Sequence, residues 1–404
     1  KELEKFLVTK PTRTISGVAV VAIMTKPAKC PHGKCIYCPG GLNSDFGDVP
    51  QSYTGKEPST MRGIRNDYDA YLQVFNRLEQ YIVIGQNPEK VELILMGGTF
   101  PSTEQRYQTD FVKNAFNAMN DFSEMFFEKN IFKIKKFKSF FELPGDKDDK
   151  ERAKRLKEKI LEQKNSNKDT LEEAKERNEN SNIKCVGLTI ETKPDFGFKE
   201  HGNLMLELGC TRIELGIQTT KDEVLKLTNR GHNLDDSKRS IRELRNLGFK
   251  LNFHLMPGLP GISEEEELES LKEIFENPDF RPDMVKIYPT MVFEKTALHN
   301  LYKQGKYNPI TTERAAELIA DFFSFVPGYC RVMRVQRDIP TKLAKEGVGR
   351  NNLRQYVDDI MKQKGIKSRD IRAREIGHVL RDREKKDIDP GINVVEYDAA
   401  DGKE

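Results

Sequence analysis

Apolar residues along this chain keep two alternating rhythms. Short apolar runs end on turn residues, and between them longer stretches place apolar positions three and four apart, the spacing of one helix face. "GVAVVAIM" (17–24) predicts a first strand and "YDAYLQVFNRLEQYIVIG" (68–85) a helix. "KVELILMGG" (90–98) predicts a strand stopped by paired glycines, and residues 103–130 a helix. "KCVGLTIET" (184–192) is followed by a helix at 200–209, and "TRIELGIQT" (211–219) by one at 235–248 that opens on Asp235 and closes on Gly248. "KLNFHLMPGLPG" (250–261) reads as a strand running into a loop, then a helix at 263–276, and "DMVKIYPTMV" (283–292) as the sixth strand.

Six strands separated by helices imply a parallel sheet, either doubly wound or closed into a full or partial βα barrel. Either way, ligands gather at the C-terminal strand ends. Five strand-following features stand there: a cysteine loop, Gly97-Gly98-Thr99, Glu191, Gln218 and Pro257-Gly258. Five loops on one rim fit a barrel better than a single crevice. The expected class is α/β: a partial (β/α)6 TIM-type barrel over 1–293, with a charged helical insertion at 133–180, and a C-terminal α+β extension over 294–404. In that extension, 311–326 reads as an amphipathic helix and the last residues as a strand and turn.

Charge changes this picture only locally. With 67 basic against 64 acidic residues the chain is nearly balanced, so the total does not indicate nucleic acid. Residues 133–180 hold 15 basic and 12 acidic residues with few apolar positions, and read as a solvated helical excursion. Residues 331–374 carry 13 basic and 5 acidic residues, a local +8 that suits RNA phosphates, with Arg331, Arg334, Arg337, Arg369, Arg372 and Arg374 as candidate contacts. No apolar run reaches the length of a membrane span and no signal peptide is visible, so a cytoplasmic protein is expected.

Six cysteines are too few for a disulfide scaffold, and three of them cluster in "KCPHGKCIYCPGG" as Cys30, Cys35 and Cys38. Three thiolates indicate a soft metal site. One reading is zinc, with His32 or a distant cysteine as fourth ligand. The other is an iron–sulfur cluster with one iron left open for S-adenosylmethionine. Enzymes of that kind commonly carry C-x3-C-x2-C with an aromatic residue before the last cysteine. Here Tyr37 fills the aromatic place and the first gap is four. Paired glycines at 97–98 offer bare backbone to a methionine moiety. Cys330 and His378 give too few ligands for a second zinc site.

The longer motifs are more specific. The segment "RTISGVAVVAIMTKPAKCPHGKCIYCPGGLNSDFGDVPQSYTGKEPSTMRGIRNDYDAYLQ" resembles the radical domain of the Elongator catalytic subunit family, the tRNA wobble-uridine carboxymethylating acetyltransferases. "VELILMGGTF", "GLTIETKPD", "CTRIELGIQT", "HLMPGLPG", "KIYPTMV", "RVMRVQRDIP" and "SRDIRAREIGH" are similar to that family too, and the likeness spans nearly the whole chain outside 133–180. The resemblance implies a radical S-adenosylmethionine barrel. Cys30, Cys35 and Cys38 would hold a 4Fe-4S cluster. Gly97, Gly98, Thr99, Glu191, Gln218, Pro257 and Gly258 would bind S-adenosylmethionine. Lys286 and Tyr288, which alternation rather than the resemblance puts on one side of the last strand, read either as catalytic or as a lysine paired with a barrel carboxylate beside a packed tyrosine. A 5'-deoxyadenosyl radical would activate acetyl-CoA, whose carbon adds to C5 of the wobble uridine in the tRNA anticodon stem–loop and leaves a carboxymethyl group. The family carries a C-terminal acetyltransferase domain. This chain stops at Glu404, about where that domain begins, without a Gly-rich loop of the acetyl-CoA type, so the expectation is a chain lacking it. The electron donor and any other Elongator-type subunits stay open. The alternatives are another radical S-adenosylmethionine tRNA-modifying enzyme, and a zinc-stabilised RNA-binding scaffold without chemistry.

Overall fold

Strand β1 (Ala19–Met24) shows how the sheet begins: Ala19, Val21 and Ile23 are at most 1% exposed, while Val20 between them is 38% exposed. A computed structural model describes residues 14–146, 148–377, 391–392, 394–400 and 402–403. The chain divides into two compact units, one made of Lys1–Lys26, Met61–Met96 and Thr103–Thr189, the other of Pro27–Thr60, Gly97–Ser102 and Ile190–Glu404.

In the first unit β1 pairs in parallel with β2 (Lys90–Met96), from Ala19 opposite Val91 to Met24 opposite Met96. The strand order there is β1-β2-β3, where β3 (Lys184–Thr192) begins in this unit and ends in the other. Helix α1 (Ala70–Val83) starts where the Asp69 carboxylate accepts the Leu72 N–H at 2.9 Å, a cap worth about 1 kcal/mol. It packs Phe75 against Phe122 and Phe126 of α2 (Gln105–Phe126), with ring centroids 5.1 and 6.3 Å away.

The charged excursion is not simply solvated. Helix α3 (Ile134–Phe140) sends Phe137 onto Phe126 at 5.4 Å, and Phe141 lies 5.7 Å from the same ring. Both are at most 1% exposed. The few apolar residues of 133–180 are bunched at one end, and that end completes a phenylalanine core. The polar remainder forms α4 (Lys150–Ser166) and α5 (Leu171–Glu179), the latter opened by a reciprocal cap between Thr170 and Glu173. Arg177 of α5 ion-pairs with Asp121 of α2, whose carboxylate also accepts the Tyr71 hydroxyl at 2.7 Å.

In the second unit the order runs β3, β4 (Arg212–Gln218), β5 (Lys250–Leu255), β6 (Met284–Ile287), β7 (Arg331–Arg334). Neighbours from β4 to β7 pair in parallel. Each strand lies beside its predecessor in sequence with no reversal of order, which is the barrel solution and not the doubly wound one. The seventh strand went unread in "RVMR", where two arginines in four residues masked the buried Val332. The last expected strand, 283–292, splits into β6 and a short Val292–Phe293 strand that pairs with Ala344–Glu346. Helix α6 (Leu234–Asn246) opens on Asn233 in place of Asp235: Asn233 caps the Asp236 N–H while Asp236 caps Asn233. Helix α7 (Glu264–Glu276) is capped the same way by Ser263 and Glu266. Helices α8 (Thr312–Phe325) and α9 (Leu353–Gln363) fill the extension. Among the described residues no helix is long and apolar enough to cross a membrane.

Candidate functional site

The site lies within the second unit. Its cysteine loop is held by the segment after β4. Ile36 N–H donates to the Thr228 carbonyl (3.1 Å), and the Asn229 side chain donates to the Lys34 carbonyl (2.9 Å). Gly231 lets this strap lie flat: a Cβ there would sit 2.3 Å from the His32 Cβ, and its φ is +79°. Between Asn229 and Gly231, the buried Arg230 donates to the Gly216 carbonyl at 2.9 Å and reaches Cys35 Sγ at 3.8 Å. Burial opposes its charge, but the Tyr37 hydroxyl and Cys35 thiol outweigh that and hold it cationic.

All three thiols are free. Cys30 Sγ lies 3.7 Å from the Thr99 hydroxyl, and burial pushes its pKa up. Cys38 Sγ accepts the Ser52 N–H at 3.2 Å, and burial, then the neighbouring Cys35, pushes its thiol up to about 11. Cys35 faces His32 Nε2 at 3.3 Å. The Lys193 ammonium occupies His32 Nδ1 at 3.0 Å, so the imidazole proton belongs on Nε2, toward the sulfur. Burial, Lys193 and Arg230 bring His32 down to about 4, so it is neutral at pH 7. The loop thus aims N–H donors and one guanidinium at sulfur. That donor set suits thiolates, the form in which cysteine binds a metal.

Around the loop stand the other strand ends. Gly97 and Gly98 take φ of +128° and +80°, where a side chain is strained, and a Cβ on Gly98 would meet nothing closer than 4.0 Å. Gln218 ends β4 with φ +73°, and its buried side-chain oxygen has no hydrogen-bond partner among the described residues. A positive φ and an unsatisfied buried acceptor coincide at this strand end. Glu191 accepts the Tyr53 hydroxyl at 2.9 Å. After β5, Pro257 accepts the Thr290 N–H (2.8 Å), Gly258 donates to the buried Glu267 (2.7 Å), and Tyr307 donates to the Gly258 carbonyl.

Lys286 and Tyr288 enter a buried polar network. The Lys286 ammonium ion-pairs with Glu214 of β4, which also faces His254 Nε2 (2.8 Å) and accepts from Asn252 (3.0 Å). Burial alone would raise the Glu214 carboxyl, but Lys286, His254 and Arg212 outweigh it and hold it below the usual carboxylate range. Burial works against the Lys286 charge in turn, and Glu214 outweighs it, so Lys286 stays an ammonium. Tyr288 meets the His254 ring edge-on at 5.4 Å. Donor atoms of Glu191, Glu214 and His254 come within 4.8 Å of one another. The Lys286 ammonium already sits on the Glu214 carboxylate of this group.

The arginines part into two sets. Arg369, Arg372 and Arg374 are exposed on a loop organised by Asp370, which is 1% exposed and accepts the Val332 and Arg372 N–H groups, both at 3.1 Å. Arg331 ion-pairs with Glu375 at 2.7 Å and Arg334 with Asp338. Arg337 turns inward, over the rings of Tyr53 (5.5 Å) and Tyr288 (5.8 Å). Cys330 is fully buried, and His378, weighed with it and set aside as too few ligands for zinc, lies outside the described residues. Sequence reasoning missed Arg230, Glu214 and Lys193. A signal for Glu214 existed: Arg212, Glu214, Gly216 and Gln218 share one face of β4 by alternation, a polar stripe inside a buried strand.

Comparison with known proteins bears on the family of the chain. Residues 162–274 match the radical SAM superfamily and residues 282–363 the radical SAM C-terminal domain. A tRNA uridine(34) acetyltransferase of Methanocaldococcus infernus is 45% identical over 100% of this chain and 68% of its own. Human Elongator complex protein 3 is 40% identical over 93% of this chain and 62% of its own. The solved structure of the archaeal Methanocaldococcus infernus Elp3 with an N-terminal deletion superposes with a TM-score of 0.73 at 36% identity, over 96% of this chain and 73% of that one.

Proposed function

Because the chain belongs to the radical SAM family of tRNA uridine(34) acetyltransferases and Elongator complex protein 3, we propose that it modifies the wobble uridine of tRNA. In this reading the methyl carbon of acetyl-CoA, after loss of a hydrogen atom, bonds to C5 of that uridine in the anticodon stem–loop, the C5 hydrogen departs as a proton and an electron, and hydrolysis of the thioester releases CoA and leaves a carboxymethyl group. The chain works in the cytoplasm. The observation that carries the reading is the convergence of Cys30, Cys35 and Cys38 with Thr99, Arg230 and the Ser52 N–H.

Cys30, Cys35 and Cys38 would hold a 4Fe-4S cluster, and Gly97, Gly98, Thr99, Glu191, Gln218, Pro257 and Gly258 S-adenosylmethionine. Together these supply one-electron chemistry that removes hydrogen from an unactivated carbon. Arg230 offsets negative charge at the thiolates. Gln218 offers its unpaired carbonyl oxygen to a ligand hydroxyl or amine. Lys286, held as an ammonium by Glu214, supplies a fixed positive charge, with Tyr288 and His254 beside it for proton movement. The exposed loop of Arg369, Arg372 and Arg374 meets RNA phosphates, with Arg331 and Arg334 at its margin.

The second reading is a single zinc ion on the three thiols, with His32, whose Nε2 lies 3.3 Å from Cys35 Sγ, as the fourth ligand. The deciding experiment is anaerobic reconstitution followed by iron, sulfide and 5'-deoxyadenosine assays. Four irons per chain and release of 5'-deoxyadenosine, both lost in Cys38→Ser, are expected. Bound zinc with no cleavage overturns the reading.

A further inference from the structure

We infer that Arg337 is a positioning residue for the cysteine loop: through the carbonyl of Ser52 it fixes the backbone N–H aimed at Cys38 Sγ, and so sets the reduction potential of a cluster held there. This rests on the reading of the three cysteines as cluster ligands.

The connection is short. Ser52 sits in a turn in which Tyr53 N–H returns to the Pro50 carbonyl at 3.1 Å. Its φ is +75°, a left-handed conformation that costs a non-glycine residue about 1 kcal/mol or more and persists only where neighbours enforce it. Two neighbours do so, one on each side of the residue. The Ser52 N–H points at Cys38 Sγ, 3.2 Å away. The Ser52 carbonyl accepts from Arg337 Nη2.

Arg337 is itself braced. Its guanidinium lies over Tyr53 and Tyr288, and the Tyr53 hydroxyl is tied to Glu191. The turn is pressed onto the cysteine loop at Gly40, where a Cβ would fall 2.1 Å from the Tyr53 carbonyl oxygen and 2.7 Å from that of Pro50. Arg337 follows β7 in the extension, so an arginine from the far end of the chain orients a donor onto the third cysteine.

The consequence is electrostatic. Hydrogen bonds to cluster sulfurs are among the determinants of reduction potential. An N–H aimed at a cysteine sulfur stabilises the extra electron of the reduced cluster and raises the potential. Without Arg337, the Ser52 turn relaxes toward unstrained φ, the N–H leaves the sulfur, and the cluster becomes harder to reduce. Arginine suits the role better than lysine, because a planar guanidinium can lie over two rings while one edge donates to a carbonyl.

The test uses the reconstituted protein, Arg337→Gln and Arg337→Lys, with two readouts. One is the cluster midpoint potential, from an anaerobic titration followed by electron paramagnetic resonance. The other is hydrogen exchange of the Ser52 amide in the metal-free chain. Arg337→Gln is expected to move the potential negative, by about 59 mV for each tenfold loss in the one-electron equilibrium, and to speed Ser52 exchange at least tenfold. Arg337→Lys is expected to shift both in the same direction. Full restoration of the potential by lysine overturns the inference in favour of a plain charge effect. So does an unchanged potential and exchange in Arg337→Gln with its cluster intact. If Arg337→Gln does not fold, Arg337→Lys alone decides. A wild-type chain that takes up no cluster defeats the cluster reading, and this inference with it, whereas a loaded wild type with an unresponsive Arg337 defeats this inference alone.

Discussion

Glu214→Ala removes the anion at the centre of the barrel. The carboxylate is wholly buried and bonded on several sides, to the Lys286 ammonium, His254 Nε2 and the Asn252 amide. Truncating it strands a charge in a site that is 8% exposed at Lys286 and 0% at Asn252. Breaking a buried pair this way costs about 3–5 kcal/mol, whereas replacing both members by apolar residues of similar volume is often neutral or stabilising. The expected pattern is therefore non-additive. Glu214→Ala and Lys286→Ala each destabilise by about 3–5 kcal/mol, and the double variant Glu214→Leu/Lys286→Met returns to within about 1 kcal/mol of the parent. Hydrogen exchange of the β4 to β6 amides reads this locally, as a hundred- to few-thousand-fold rise in opening for the single variants. The double variant should fold and bind iron yet lose turnover, because the fixed positive charge and the carboxylate that holds it are both gone. Single variants costing under about 1 kcal/mol, or a double variant as damaged as the sum of the singles, would refute the account of a tightly paired buried network.

Two further outcomes are expected. Burial raises Glu267 to about 7, while the Gly258 N–H pulls the other way and Glu264 adds to the rise. Its folded pKa lies above the unfolded value, so the folded chain holds an extra proton between about pH 4.3 and that point. The associated stability, on the order of 3–4 kcal/mol, is fully present below about pH 4.3 and lost as pH rises from there through about 7. Glu267→Gln keeps an acceptor for Gly258 and should flatten thermal stability between pH 5 and 8, and a slope equal to the parent's would count against the assignment. Replacing Arg369, Arg372 and Arg374 together by alanine should weaken anticodon stem–loop binding and make its dependence on log salt shallower by about 2, at about 0.7 per phosphate contact. An unchanged slope would place the RNA surface elsewhere.

Much of the barrel was legible because its strands are apolar runs of four to nine residues closed by glycine or proline, and because chemistry-bearing residues recur where those runs stop. The cysteine loop and the glycines at 97–98 needed only local sequence. Arg230 was not legible, since its meaning comes from a neighbour almost two hundred positions away: its guanidinium reaches Cys35, with |i−j| of 195. Strand β7 hid behind its two arginines, and the role of Phe137 and Phe141 behind the lysines around them. The inward carboxylate of Glu214 was readable by alternation, but a polar residue in a strand more often faces solvent, and only the burial of both faces of β4 reverses that expectation.

The strap across the cysteine loop has a consequence for how the protein is made. Lys34 and Asn229, which close it, lie 195 residues apart. At synthesis rates of about 5–20 residues per second, the three thiols leave the ribosome about 10–40 s before their strap exists. During that interval the three thiols, five and three positions apart, stand open to any soft metal or oxidant. If they hold a cluster, its loading belongs after synthesis has passed residue 231.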